Sequence, residues 1–257
     1  MSTVCILNFD HGYEEQDFYK EYKYQYIDLT DLTGVNGYCE KQSMQEIKKR
    51  IVPSSNRHIT FLGSGNYHYV AYQYLSLIKE PFALLHFDHH TDAQKPLFGD
   101  LMSCGSWVER SVLDFPNLKS VVSIGVKKQY IETVNDEYRK MIHFISEEEI
   151  DSITWKQVSN LLSCDRVYIS IDKDVLTMKD AVTNWDQGSL SKEVLFALIR
   201  ECIKSKEVIG IDLCGEYIEN MGRRQELKSH ALCINNRING EFLKLCVEQG
   251  ILQRNKN

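Results

Sequence analysis

The 257 residues carry 30 basic and 36 acidic side chains, a net charge of −6, with no basic block, which argues against nucleic acid or an anionic membrane surface as the main partner. Hydrophobic residues make up 43% and charged residues 26%, the balance of a globular chain with a sizeable core, so one α/β domain over residues 1–257 is expected. No apolar stretch approaches the roughly 20 residues of a membrane helix, and MSTVCILNFDHGYEEQ has neither the cationic start nor the long apolar run of a secretory signal. The eight cysteines form no C-x-x-C pair and read as reduced, mostly buried thiols, which points to the cytoplasm.

The chain opens on a short apolar run, TVCILNF (3–9). A helical pattern, KQSMQEIKKRI (41–51), leads into HITFLG (58–63), and YHYVAYQYLSLIK (67–79) into FALLHFD (82–88). GSWVERSVLD (105–114) precedes LKSVVSIGV (118–126) and MIHFIS (141–146). ITWKQVSNLLS (153–163) leads to RVYISID (166–172), and SKEVLFALIRECIK (191–204), with Ser191 as its N-cap, to KEVIGIDL (206–213). A last helix is expected in 230–249, weakened by Gly240. Near-continuous apolar runs alternating with helices mean a mostly parallel sheet covered on both faces, a three-layer α/β/α arrangement. Ligand sites in such folds lie beyond the carboxyl ends of the strands.

Two acidic clusters end apolar runs and so fall at that edge. In FDHHTDAQ, a strand continued through the cluster puts Asp88, His90 and Asp92 on one side and His89 on the other. In SIDKDVL, Asp172 and Asp174 share a side in the same way. His68 follows the glycine turn of Gly63 and Gly65 in GSGNYHYV, a place where glycine lets the chain turn sharply. Converging carboxylates repel one another unless a cation sits between them. Four carboxylates match the charge of two divalent ions, and an oxygen-rich shell with imidazole suits Mn²⁺ better than Zn²⁺. Paired ions about 3.5–4 Å apart can acidify a bridging water and polarise an electrophile. His11, His58, His86, His89, His143 and His230 read as structural or surface histidines.

These motifs resemble those of the ureohydrolases (arginase, agmatinase, formiminoglutamase), where a histidine after a glycine-rich turn is followed by D-A-H-x-D and later by D-x-D. The resemblance spans about residues 58–216, and this chain is a divergent member. It implies the arginase/deacetylase-like fold and a binuclear manganese centre, two ions per chain, held by His68, Asp88, His90, Asp92, Asp172 and Asp174. Family members are often trimers or hexamers, so a homo-oligomer is expected. Three departures stand out. The family's S-H-G-T reads SCGSW here, so Cys104 stands where a proton-shuttling histidine is expected, and as a poorer shuttle at neutral pH it could equally be a nucleophile, a redox-sensitive switch or an inert replacement. The family's D-x-x-E reads IDLCGEY, so Glu216 arrives one residue late and needs a bulge at Gly215 to face the substrate. The stretch SIGVKKQ offers Lys127 and Lys128 where arginases hold a substrate ammonium with acid, so arginine itself is not the expected substrate. The family's proline-rich stretch after D-x-D is replaced, and Asn184, Trp185, Asp186 and Gln187 form a different loop, in which Trp185 suits packing and substrate contact equally.

The implied activity is hydrolysis of a C–N bond in a linear amidine or guanidino compound by a hydroxide bridging the two ions. Asp92 orients that hydroxide, Cys104 assists proton transfer and Glu216 contacts the cationic group. Two other readings are a single-metal, deacetylase-like amidohydrolase and a metal-binding member that is regulatory rather than catalytic.

Overall fold

A computed structural model describes residues 3–51, 58–96, 98–99, 101–219 and 225–255. Among these residues ten strands follow in chain order: β1 (Thr3–Asn8), β2 (Tyr24–Asp28), β3 (Tyr38–Cys39), β4 (His58–Phe61), β5 (Phe82–Phe87), β6 (Met102–Ser103), β7 (Leu118–Val126), β8 (Ile142–Ser146), β9 (Arg166–Asp172) and β10 (Glu207–Cys214). Eight form one sheet in the order β2-β1-β4-β10-β9-β5-β7-β8, and every recorded pairing within it is parallel. β3 and β6 form a small antiparallel pair beside it.

The helices among the described residues are α1 (Lys41–Arg50), α2 (Ala71–Leu75), α3 (Trp107–Asp114), α4 (Lys128–Glu132), α5 (Trp155–Leu161), α6 (Lys192–Ser205) and α7 (Gln225–Glu248). The strands feed two cores because their side chains alternate. On β5, Ala83, Leu85 and Phe87 join Val158 of α5, Leu198 of α6 and Phe242 of α7. Phe82 and Leu84 face the other way, toward Ile47 of α1, Leu75 of α2 and Trp107 of α3. All six residues of β5 are buried, each large apolar one contributing about 1.5–3 kcal/mol. This is the three-layer α/β/α arrangement expected from the alternating runs.

β2 was not foreseen. It is an exposed edge strand, YQYID, without the apolar run that marks the central ones. α7 passes through Gly240 without a break, where an added Cβ would meet nothing nearer than Phe18 Cβ at 3.7 Å. Among the described residues no helix is long and apolar enough to cross a membrane.

β9 and β10 lie between β4 and β5, so the segments leaving the carboxyl ends of all four strands meet in the middle of one sheet edge. His68 comes from the segment after β4, the Asp88 cluster from β5, Asp172 and Asp174 from β9, and Cys214 from β10.

Candidate metal centre

The strand β5 stops at Phe87, one residue short of the cluster. Convergence of Asp88, His90 and Asp92 therefore comes from a turn and not from strand alternation. Asp88 Oδ1 accepts from the His90 backbone N–H at 2.6 Å, Asp174 Oδ1 accepts from that of His89 at 3.0 Å, and Asp92 takes a left-handed conformation, φ 47°. The D-x-D segment also turns: Lys173–Val175 is one 3-10 turn, and Asp172 caps it by accepting from Asp174 N–H at 3.0 Å. His68 lies in a second 3-10 turn, Gly65–Val70, whose first glycine leaves no room for a side chain, since a Cβ there would lie 2.7 Å from Asp172 Oδ2.

The six residues expected to hold metal come together around Asp88. Its Oδ2 lies 3.2 Å from His68 Nδ1, and its Oδ1 lies 3.4 Å from His90 Nδ1. On the first side, His68 Nδ1 is 2.9 Å from Asp92 Oδ2 and 3.8 Å from Asp172 Oδ2. On the second, His90 Nδ1 is 2.9 Å from Asp174 Oδ2. Asp88, Asp92, Asp172, Asp174 and His68 are buried. Asp88 is thus shared by two ligand sets, one per oxygen.

The donors fit divalent cations. His68 Nδ1 and His86 Nε2 are buried and make no hydrogen bond, although each lies within 3.2 Å of Asp88 Oδ2. A ring nitrogen aimed among carboxylate oxygens, bonded to none, is the geometry of a ligand site. The electrostatics agree. Burial, then the charge of Asp88, raises the pKa of Asp92 and Asp172, and burial with Asp172 and Asp88 raises that of Asp174 well above the usual carboxylate range. Burial opposes charge on Asp88 as well, but His68, His86 and His90 outweigh it and hold its pKa well down. Burial likewise opposes charging His68, and Asp88 and Asp92 overcome it. Divalent cations would displace the protons such a cluster otherwise keeps.

An outer ring of donors and acceptors fixes these ligands. His68 Nε2 meets Ser170 Oγ at 2.9 Å, and Ser170 Oγ donates to Asp212 Oδ1 at 2.6 Å. Trp107 Nε1 donates to Asp92 Oδ2 at 2.6 Å, and the Cys214 thiol to Asp172 Oδ2 at 3.1 Å. His86, read from sequence as structural, meets Ser123 Oγ at 2.9 Å through its other nitrogen. It stands two residues before Asp88, so strand periodicity carried the signal. Ser170 stands likewise two residues before Asp172, whereas Trp107 and Asp212 left no comparable mark in the sequence.

The site opens into a cavity of about 400 Å³ lined by Cys104, Gln94, Tyr130, Trp185 and Asp186 among others. Burial, then Asp92 and Asp172, pushes the Cys104 thiol up to about 12, so it is a protonated thiol at neutral pH. Trp185 is 42% exposed, its ring 5.5 Å from that of His90 and its Nε1 3.0 Å from Asn66 Oδ1. Lys127 is drawn to Asp186 at 3.5 Å, and Lys128 turns outward to Glu148 at 3.1 Å, so only the first borders the centre.

Glu216 does not face this cavity. Gly215, at φ 90°, turns the chain so that the Glu216 carboxylate is buried against Lys173 Nζ, with Gln16 Nε2 and Asn239 Nδ2 each donating at 2.8 Å. The expected contact with a cationic substrate group is replaced by an internal ion pair, because Lys173, the middle residue of D-x-D, supplies the cation instead.

The chain belongs to the arginase family, whose model matches residues 5–216. It is 33% identical over 213 residues to an uncharacterized protein of Thermotoga maritima, covering 83% of this chain and 79% of that one. Among solved structures it resembles a hypothetical agmatinase from Burkholderia thailandensis (TM-score 0.67, 18% identity, 96% of this chain and 86% of that one). It also resembles a Trypanosoma cruzi formiminoglutamase with Mn²⁺ (0.67, 11%, 96% and 93%) and an arginase from Bacillus cereus (0.64, 14%, 99% and 99%). At these identities the structural likeness speaks for the fold.

Proposed function

We propose that the protein is a binuclear manganese hydrolase of a C–N bond in a linear amidine or guanidino compound other than arginine. The observation that carries this reading is Asp88, which offers one oxygen to the set of His68, His86 and Asp92 and the other to the set of His90 and Asp174, while Asp172 joins through His68 at 3.8 Å. The formiminoglutamase relative was solved with Mn²⁺, which supports the choice of metal. Two bound divalent ions would supply Lewis acidity and an acidified water. The chain's own residues do the rest. Asp92, held by the Trp107 indole, orients the attacking oxygen. Cys104, a neutral thiol on the cavity wall, can donate a proton to the leaving nitrogen. Trp185 and Tyr130 line the cavity against the His90 ring, where they can contact a substrate.

Glu216 favours a second reading. With its carboxylate paired to Lys173, one anchor for a cationic substrate is withdrawn, as a metal-binding member without turnover would have it. One experiment separates the two. Elemental analysis of protein reloaded with Mn²⁺ is expected to give two ions per chain, falling to one or none in Asp92→Ala or Asp174→Ala. A screen of guanidino compounds for released urea or amine then follows. Two ions without turnover on any of them would leave the non-catalytic reading, and one ion or none in the parent protein would overturn the binuclear centre.

A further inference from the structure

The loop between the D-x-D turn and α6 places one carboxylate against a metal-site histidine, and nothing in the binuclear reading accounts for it. Asp186 Oδ1 lies 2.9 Å from His90 Nε2, the ring nitrogen opposite the one that faces Asp88 and Asp174. The other oxygen, Oδ2, is occupied: Tyr130 Oη donates to it at 2.9 Å, with Lys127 Nζ at 3.5 Å and His89 Nε2 at 3.6 Å. One oxygen is tied down so that the other is left for His90. Tyr130 also stacks on the His90 ring, with centroids 5.2 Å apart and planes 22° from parallel.

The loop that presents Asp186 is fastened at both ends. Thr183 N–H donates to Gln187 Oε1 at 3.1 Å, and Gln187 Nε2 donates to the carbonyls of Leu176 and Ala181 at 3.1 Å each. Gly188 N–H donates to the Asp174 carbonyl at 2.7 Å, and a Cβ at Gly188 would lie 2.8 Å from the Val175 carbonyl oxygen and 3.0 Å from His89 Nδ1. The loop is therefore pinned to the D-x-D turn itself, and the position of Asp186 is built in.

We infer that Asp186 is a positioning residue for the second metal: it accepts the Nε2–H of His90 and thereby directs the Nδ1 lone pair at the ion shared with Asp88 and Asp174. A histidine ligand whose remote N–H is held by a carboxylate keeps one tautomer and one ring orientation and is a stronger donor. The inference rests on the binuclear reading of the site. Tyr130 and Lys127 act one step further out, by holding Asp186.

The test is a Mn²⁺ titration of the full-length apoprotein, followed by the electron paramagnetic resonance signal of free Mn²⁺. His90→Ala identifies which binding step belongs to this site. Asp186→Asn is expected to weaken that step about 10–100-fold and leave the other step within about twofold, a selectivity that a general structural role would not produce. Tyr130→Phe, which removes one hydrogen bond and no charge, is expected to weaken the same step by less, and Asp186→Glu to recover part of the loss. Unchanged binding in Asp186→Asn, while His90→Ala loses its ion, overturns the inference and leaves the binuclear centre standing. Equal weakening of both steps in Asp186→Asn also overturns it. Failure of the parent protein to take up Mn²⁺ overturns the reading of the site, and this inference with it.

Discussion

Replacing Lys173 with methionine leaves the Glu216 carboxylate buried without its cation. Both side chains are 2% exposed, so water cannot take over the charge. Removing one partner of a buried ion pair costs about 3–5 kcal/mol. Gln16 and Asn239 still donate to Glu216 in the variant, each at 2.8 Å, which places the expected cost near the lower end, about 3 kcal/mol. For a chain of this size that is a melting temperature lower by about 6–12 °C. Adding Glu216→Gln removes the stranded charge and keeps a group that can hydrogen-bond with Gln16 and Asn239, so the double variant is expected within about 1 kcal/mol of the parent. Urea unfolding with a chelator present, so that metal binding is not read as stability, measures all four corners of the cycle. A single variant within about 1 kcal/mol of the parent, or a double variant whose loss equals the sum of the singles, would refute the coupling.

Cys104→Ser exchanges the thiol for a much less acidic hydroxyl and is expected to lower turnover at least about tenfold; unchanged steady-state kinetics would remove Cys104 from the mechanism. Gly215→Ala puts a Cβ 2.6 Å from Asp172 Oδ1 at a φ of 90°, and is expected to cost about 1–3 kcal/mol in urea unfolding and to lower bound Mn²⁺ by elemental analysis. Asp10 is raised from 3.8 to about 6, chiefly by burial. A carboxyl held above its unfolded value leaves stability intact below about pH 4 and lowers it as the pH rises through about 6. Asp10→Asn is therefore expected to stabilise the protein at pH 8 by at most about 3 kcal/mol and to have no such effect at pH 4, in paired urea unfolding curves.

The strands were legible where both neighbours bury them. β5 is an apolar run followed at once by Asp88, and β9 is buried from Val167 to its terminal Asp172, so run and sheet edge could be read together. β2 was not legible, because an edge strand facing solvent has no such run. The six candidate ligand positions are legible in order and spacing, but Asp88, His90 and Asp92 converge through a turn and not through a continued strand. Spacing alone cannot separate the two, since both bring alternate residues together. Glu216 shows the opposite case. Its direction depends on one left-handed glycine and on which cation waits inside, and neither is written in the local pattern. Asp186 and His90 are 96 residues apart and share no motif, so their meeting is a property of the fold alone.

The sheet order carries a consequence for synthesis of the chain. β4 and β5 follow each other in sequence but are separated in the sheet by β10 and β9, which emerge last. Until Cys214 has left the ribosome the middle of the sheet is missing, and the facing edges of β4 and β5 remain open to pairing with other chains. Closure depends on non-local pairings, β5 with β9 and the still more distant β4 with β10, which makes it intrinsically slow. A nascent chain halted before β9 would hold His68, Asp88, His90 and Asp92 with no partner strand between their supports, so the candidate site is completed only in the final act of folding.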